Sequence, residues 1–381
     1  MFIPFKRSIL ASLVVVAVGS TSAYADQEVL IGLAAPLTGP SARIGKDLEN
    51  GALLAIDAAN ARHPKIGGEN VTYKLIAEDD QSDPKTAVSV AQRLVDAGVV
   101  GVVGHWNTGT SIPAARVYND AGIAQVAPVA TGHAYTQQGF DTSFRIMGHD
   151  DDGGQVAGQY ALQTLKAQRI AVIDDRTAFG QGLADQFIKS VDEDGNKVVA
   201  REYVDDKTAD FSAVLTSIRA KNPDLIFFGG VDAQAAPLAR RMKQLGIKAT
   251  LMGAGGFVSQ TFLTLAQKEG EGVTALEPGL AIDQMPGGKA FAKEYQERFK
   301  APIELHAPFA YDGVGVLIAA LEKANSTDPE QYLSALRASA FQGVTGTISF
   351  DTEGNLKNPT FTVYQVKDNQ WQPVSVAGGK P

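Results

Sequence analysis

Val99-Val-Gly-Val-Val-Gly-His-Trp-Asn-Thr-Gly-Thr-Ser-Ile-Pro-Ala-Ala-Arg-Val-Tyr-Asn-Asp-Ala-Gly-Ile123 carries the fold in its pattern. An apolar run, Val99–Val103, ends at Gly104, and a polar turn follows. Helical spacing begins near Ile112-Pro113, and the next apolar run is Ala124–Ala127. Strand, turn, helix and strand in that order form one crossover unit of a mostly parallel sheet. The end of this stretch recurs: Pro113–Ile123 matches Pro237–Ile247 at five of eleven positions, with a constant offset of 124. Each copy follows an apolar strand that ends in glycine and a polar turn, Gly104–Asn107 and Gly229–Asp232. The repeat predicts two α/β lobes of like topology.

Working outward, the same alternation continues. Apolar runs stand at Val29–Ala34 and Tyr73–Ala77. Between runs, Leu48, Ala52, Ala55, Ile56 and Ala59 share one helical face, as do Ala87, Val90, Ala91, Leu94 and Val95. After Asp150 the pattern restarts. Strands are expected at Ile170–Ile173, Val198–Val204, Leu225–Phe228 and Thr250–Met252, with helices near Leu183–Val191, Phe211–Ala220 and Pro237–Leu245. Beyond Glu277-Pro278-Gly279 come helices over Gly287–Phe299, Ala307–Lys323 and Pro329–Ala338, the last capped by Asp328 or Thr327. Two tail strands, Gly346–Phe350 and Thr360–Val366, are joined by the Asp351–Asn355 turn. No long linker separates the halves, which predicts several short crossings and a hinge.

The chain has 381 residues, too long for one core, in line with two lobes. It carries 34 basic and 42 acidic side chains, and its pI near 5.2 argues against binding nucleic acid through a basic surface. The absence of cysteine rules out disulfides, thiolate nucleophiles and Cys-ligated metals. Five scattered histidines leave little for a His-based metal site, and no cofactor is expected. Residues 1–25 read as a cleavable export signal: Lys6-Arg7, a short apolar run over Ile9–Val18, and the Ala23-Tyr24-Ala25 cleavage site. The apolar run is shorter than a membrane span requires. An exported, soluble protein beginning at Asp26 is expected.

Enzyme signatures fail. The chain has no dinucleotide or Walker glycine loop, no nucleophile elbow and no H-E-x-x-H. Gly253-Ala-Gly-Gly256 reads as a tight strand–helix turn. Asp192-Glu-Asp-Gly195 breaks calcium-loop spacing at Arg201. Asp150-Asp151-Asp152 reads as an acidic helix N-terminus, favoured by the helix dipole, in preference to a cation site. His105 has the chemistry of a general base but no evident Ser or Asp partner. What remains is a small-ligand site, because ligands of open α/β sheets sit beyond the carboxyl ends of the strands. Three such ends are polar: His105–Ser111, with Ser111 as N-cap and Pro113 in the first turn; Pro128–Gly132; and Gly229–Asp232. Free N–H groups and the Thr108 and Thr110 hydroxyls suit a carboxylate. Any one of these loops alone reads as a strand terminator. Three of them, on two lobes behind an export signal, point to a cleft.

Further segments carry a resemblance: Ile31–Pro40, Asn50–Ala55, Asp79-Asp80 with Asp83-Pro84-Lys85, Val103–Thr110, Tyr118, Phe144-Arg145, Phe179–Leu183, Tyr311-Asp312 and Gly343–Phe350. Through them the chain resembles the periplasmic solute-binding proteins of the branched-chain (Leu/Ile/Val) amino-acid type that serve ABC transporters. The likeness spans essentially the whole mature chain. It implies the type I fold of this class, α/β with two Rossmann-like lobes of parallel sheet and helices on both faces, joined by a three-crossover hinge. Lobe 1 would comprise 26–149 and 279–357, and lobe 2 would comprise 150–278 and 358–381. The resemblance also implies a periplasmic monomer that closes on a small ligand and delivers it to an inner-membrane ABC permease.

By the same resemblance Thr108, with Asn107 and Gly109 beside it, would bind the ligand α-carboxylate. Ala130 and Thr131 would bind near both carboxylate and amine. Ile44 and Trp106 would line the side-chain pocket, with Phe309 or Tyr311 completing the wall, and Phe179 would close the lid from the second lobe. The family commonly places an acid against the ligand ammonium where this chain has Gly255. Either Asp232 takes over that charge or the ligand carries no amino group. Ser82 and Asn107 stand where some members have a disulfide, so the loop is expected to be held by packing alone. A transport receptor is the expected role. A ligand sensor and an enzyme of small amides are the other classes weighed.

Overall fold

The computed structural model describes Met1 and residues 27–192 and 197–379. The expected export signal beyond Met1 lies outside the described residues, as do Glu193–Gly195 of the acidic turn. In the first half the elements are β1 (Gln27–Ala35), α1 (Ala42–Asn60), β2 (Lys65–Ile66), β3 (Glu69–Asp79), α2 (Pro84–Asp96), β4 (Gly101–Gly104), α3 (Thr108–Asp120), β5 (Ala124–Ala127) and β6 (Ser143–Arg145). Their sheet runs β2-β3-β1-β4-β5-β6, parallel except for the β2–β3 pair.

The next elements are α4 (Asp150–Gln163), β7 (Ile170–Asp174), α5 (Ala178–Val191), β8 (Val198–Tyr203), α6 (Ser212–Arg219), β9 (Leu225–Gly229), α7 (Asp232–Gln244), β10 (Thr250–Ala254), α8 (Gln260–Ala266) and β11 (Thr274–Pro278). They are followed by α9 (Gly288–Phe299), α10 (Ala307–Ala324), α11 (Pro329–Arg337), β12 (Phe341–Gln342), β13 (Thr347–Ile348), β14 (Thr360–Lys367) and β15 (Gln370–Gly378). The second sheet runs β15-β14-β11-β10-β9-β7-β8, and its β14 and β15 are antiparallel. The chain passes between the two sheets three times: after β6, after β11 and before β14.

Both sheets are covered on both faces, so their central strands are apolar throughout. The period of two decides which face each residue serves. In β1 and β4, Ile31, Leu33 and Val103 pack under α1 and α10, while Ala34 and Val102 pack under α2 and α3. In β7 and β9, Ile173, Ile226 and Phe228 face α6, α7 and α8, and Val172, Leu225 and Phe227 face α4 and α5. The caps are local. Asp83 accepts from Thr86 N at 2.7 Å, Thr177 from Gly180 N at 2.9 Å, and Asp328 from Glu330 N at 3.0 Å.

Several expectations are corrected. Helix α3 begins at Thr108, with Asn107 as its N-cap, four residues before the expected Ile112 start, and Ser111 lies inside its first turn. Helix α7 likewise begins at Asp232, five residues before Pro237. Proline marks the sixth position of each helix and misplaces the start when read as a first-turn residue. The two expected tail strands belong to different sheets: β13 pairs with β12, and β14 joins the second sheet. Strands β6, β11 and β15 gave no apolar run, because they carry a buried Arg145, a buried Glu277 and a largely exposed edge, respectively.

Candidate ligand-binding cleft

The carboxyl end of β4 runs through His105, Trp106 and Asn107 into α3. Ser111 N is the first amide of that helix with a carbonyl one turn back, Asn107 O at 2.9 Å. The amides of Thr108, Gly109 and Thr110 have none, and they sit at the positive end of the helix dipole. A side chain at Gly109 would meet nothing within 4 Å, so that flank is open. Trp106 Nε1 and Asn107 Oδ1 are buried without a partner among the described residues. Thr108 Oγ1 accepts the Gly132 amide at 3.0 Å, which ties this loop to the one after β5. Among the described residues its hydroxyl donates to no other group.

The Ala130–Gly132 loop is clamped from behind. Arg145, fully buried, donates to Ala130 O at 3.1 Å, Gly132 O at 2.9 Å, Asn355 Oδ1 at 3.2 Å and Thr136 Oγ1 at 3.0 Å. Thr131 O accepts from Asp150 N, the first residue of α4, at 2.9 Å. Asp150 lines a small cavity with Thr131, Leu183, Ala254, Gly255 and Phe361, so residues of both lobes enclose it. Burial pushes its carboxyl up to about 7, against the opposing pull of the Thr131 hydroxyl and Arg145.

The Trp106 loop has a polar anchor, which corrects the expectation of packing alone. His105 Nδ1 lies 2.7 Å from Asp80 Oδ2, and Nε2 lies 3.1 Å from the Tyr118 hydroxyl. All three are wholly buried. Asp80 is thus the partner that His105 seemed to lack, but no solvent reaches the pair. The apolar wall forms beside it: Ile44, Leu48, Trp106, Ala35 and Ala310 cluster together, and Val231 of the other lobe packs against them. Phe309 and Tyr311 flank Ala310 in sequence but pack into other clusters.

From the second lobe, Phe179 stands against Gly255, its ring within 3.0 Å of where a Cβ at that glycine would be. Gly255 has φ +58, a conformation that suits glycine. The loop after it folds around Glu277, whose carboxylate accepts the amides of Gly256 (2.8 and 3.0 Å), Phe257 (3.0 Å) and Val258 (3.1 Å). Burial pushes Glu277 up to about 7 in spite of these bonds. Asp232, at the start of α7, accepts from Ala233 N at 2.8 Å and from Ser259 Oγ at 2.6 Å. Arg43 of α1 reaches across to it at 3.9 Å, bonds the Thr261 hydroxyl of α8 and pairs with Glu304.

A model of the periplasmic binding protein family matches residues 28–370. The chain belongs to the periplasmic binding protein family. A Pseudomonas aeruginosa protein named leucine-, isoleucine-, valine-, threonine- and alanine-binding protein is 35% identical over 358 residues, 94% of each chain. A Leu/Ile/Val-binding protein homolog of Brucella suis is 36% identical, over 90% of this chain and 91% of its own. A solved leucine-binding protein of Thermotoga maritima superposes with a TM-score of 0.84 at 25% identity, covering 91% of this chain and 98% of that one. The family is one of solute-binding proteins.

In this periplasmic binding protein some of the expected residues meet: Ile44 and Trp106 share one apolar cluster with Val231 packed against it, and Phe179 stands against Gly255. Ile44, Trp106, Asn107, Thr108, Gly109, Ala130 and Thr131 lie on the first lobe, and Phe179, Asp232 and Gly255 on the second. Thr131 and Gly255 border the same cavity. Arg43, Glu277 and the position of Asp150 in the cleft were not read from the sequence. The Asp150-Asp151-Asp152 run was the available signal, and it does begin a helix. Among the described residues no cluster of three or more His, Cys, Asp or Glu could hold a metal ion, and no helix is long and apolar enough to cross a membrane.

Proposed function

We propose that this protein is the extracytoplasmic receptor of an ABC importer. It closes two lobes on a branched-chain or other aliphatic amino acid and passes it, chemically unchanged, to an inner-membrane permease. On this reading residues 1–25 are a cleaved export signal, and the remainder works as a periplasmic monomer with no role at nucleic acids. The lobes are 26–149 with 279–357, and 150–278 with 358–381.

The observation that carries the reading is one juxtaposition. The unpaired amides of Thr108, Gly109 and Thr110 open beside an apolar wall of Ile44, Trp106 and Ala310, to which the second lobe adds Val231. A carboxylate at the amides places an aliphatic chain on the wall. The names of the curated relatives support the same ligand class. Gly255 favours a second reading, an amine-free carboxylate, because no acid projects from that position.

Calorimetric titration of refolded, ligand-stripped protein tests the choice. Leucine and valine are expected to bind and to be recovered intact. Binding of 4-methylpentanoate with no binding of leucine overturns the amino-acid reading in favour of the amine-free one. Turnover of the ligand overturns the receptor reading itself.

A further inference from the structure

We propose that Asp150, at the first position of α4, is the anionic partner of the ligand's cationic nitrogen. The inference rests on the amino-acid reading above and deepens it.

Of the buried carboxylates Asp150, Asp232 and Glu277, two are fully engaged. Asp232 is held by Ala233 N, by Ser259 Oγ and by Arg43 across the cleft. Glu277 takes three backbone amides. Asp150 differs, because its Oδ2 is buried with no partner among the described residues. The residue is 4% exposed and lines the cavity that Thr131 and Gly255 share. Such an oxygen is costly when left alone. Arg145 lies near enough to oppose its charge, yet its own donors go to Ala130, Gly132, Thr136 and Asn355.

The spacing suits an α-amino acid. Asp150 N is bonded to Thr131 O, and the next residue, Gly132, donates its amide to Thr108 Oγ1. The carboxylate seat and Asp150 therefore lie on either side of one short loop. Carboxylate and ammonium on a single carbon can reach both. An amine-free acid would instead bring a carboxylate toward Asp150 with nothing between them, which selects against it.

Asp150→Asn keeps the shape and removes the charge. Titration at mildly alkaline pH is expected to show leucine affinity reduced about tenfold to a hundredfold, with 4-methylpentanoate unchanged or improved. A second readout needs no variant. Titrations in buffers of different ionisation enthalpy should show wild-type protein releasing a proton on binding leucine near neutral pH, and Asp150→Asn should abolish the release. Leucine binding by Asp150→Asn at wild-type affinity, or no proton release by the wild type, overturns the inference and leaves the receptor reading standing. Failure of wild-type protein to bind any amino acid overturns both.

Discussion

His105 Nδ1, in the loop between β4 and α3, and Asp80 Oδ2 stand 2.7 Å apart with neither residue exposed. Asp80 also accepts Ser82 N at 2.9 Å, and Tyr118 closes the other side of the imidazole at 3.1 Å. A chain without cysteine thus fixes this loop through a buried hydrogen-bond relay.

Breaking that relay should cost stability and binding together. His105→Ala leaves the Asp80 carboxylate buried with one partner fewer, and about 2–4 kcal/mol of unfolding free energy should be lost. Denaturant unfolding measures it. A loss well under 1 kcal/mol would mean that packing alone holds the loop.

Thr108 is expected to act on the ligand. Thr108→Ala removes the hydroxyl that accepts Gly132 N and that, on the proposed reading, donates to the ligand carboxylate. Affinity for any carboxylate ligand should fall by about 1–3 kcal/mol, and Thr108→Ser should restore most of it. Titration of the two variants decides; equal affinities would take the hydroxyl out of the site.

Arg43 should govern lifetime more than stability. It spans the cleft to Thr261 and Asp232 from a partly exposed position. Arg43→Ala should change unfolding free energy by no more than about 1 kcal/mol. Ligand dissociation followed by stopped flow should be several-fold faster. An unchanged dissociation rate would show that closure does not depend on this bridge.

The ligand-free protein should be less stable at pH 8 than at pH 5. Burial raises Asp150 and Glu277 to about 7 and Asp312 to about 6. A carboxyl raised in the folded state favours folding while it is protonated. That contribution is complete below its unfolded value and disappears as pH rises through 6 to 7. Thermal melts across this window test the sign. Asp150→Asn should flatten the decline, and a wild-type melting temperature that rises from pH 5 to pH 8 would contradict the assignment.

Gly51 of α1 lies hard against Ala307, the first residue of α10. A Cβ there would sit 2.1 Å from Ala307 O, a backbone atom that no rotamer change can move. Gly51→Ala should therefore destabilise by about 1–3 kcal/mol, read by chemical denaturation. A neutral effect would mean that the two helices separate freely.

Much of the architecture was legible because it depends on local pattern. Apolar runs at Val29–Ala34 and Leu225–Phe228 are strands buried on both faces, and the faces of α1 and α2 follow helical spacing. The offset of 124 between the repeats places Thr108 opposite Asp232 as the first residues of α3 and α7. The repeat was legible but both helix starts were missed, since proline at the sixth position looks like a first-turn residue. Strands β6 and β11 were missed because a buried Arg145 and a buried Glu277 break the apolar signal. Each is satisfied by groups remote in sequence, such as Asn355 for Arg145 and Gly256 for Glu277.

The sequence by itself determined the alternation of strand and helix and the two-lobed α/β class. The alternation depends on residues within a turn or two of one another, and the two lobes on chain length and a repeated strand–helix unit. Only the tertiary structure decided which charged groups remain available to a ligand. Asp150, Asp232 and Glu277 are alike as acids in a sequence. Their difference lies in who approaches them: Ser259 and Arg43 for Asp232, three amides for Glu277, and for the outer oxygen of Asp150 no group among the described residues. In a buried site an unpaired carboxylate oxygen is costly, so it dominates.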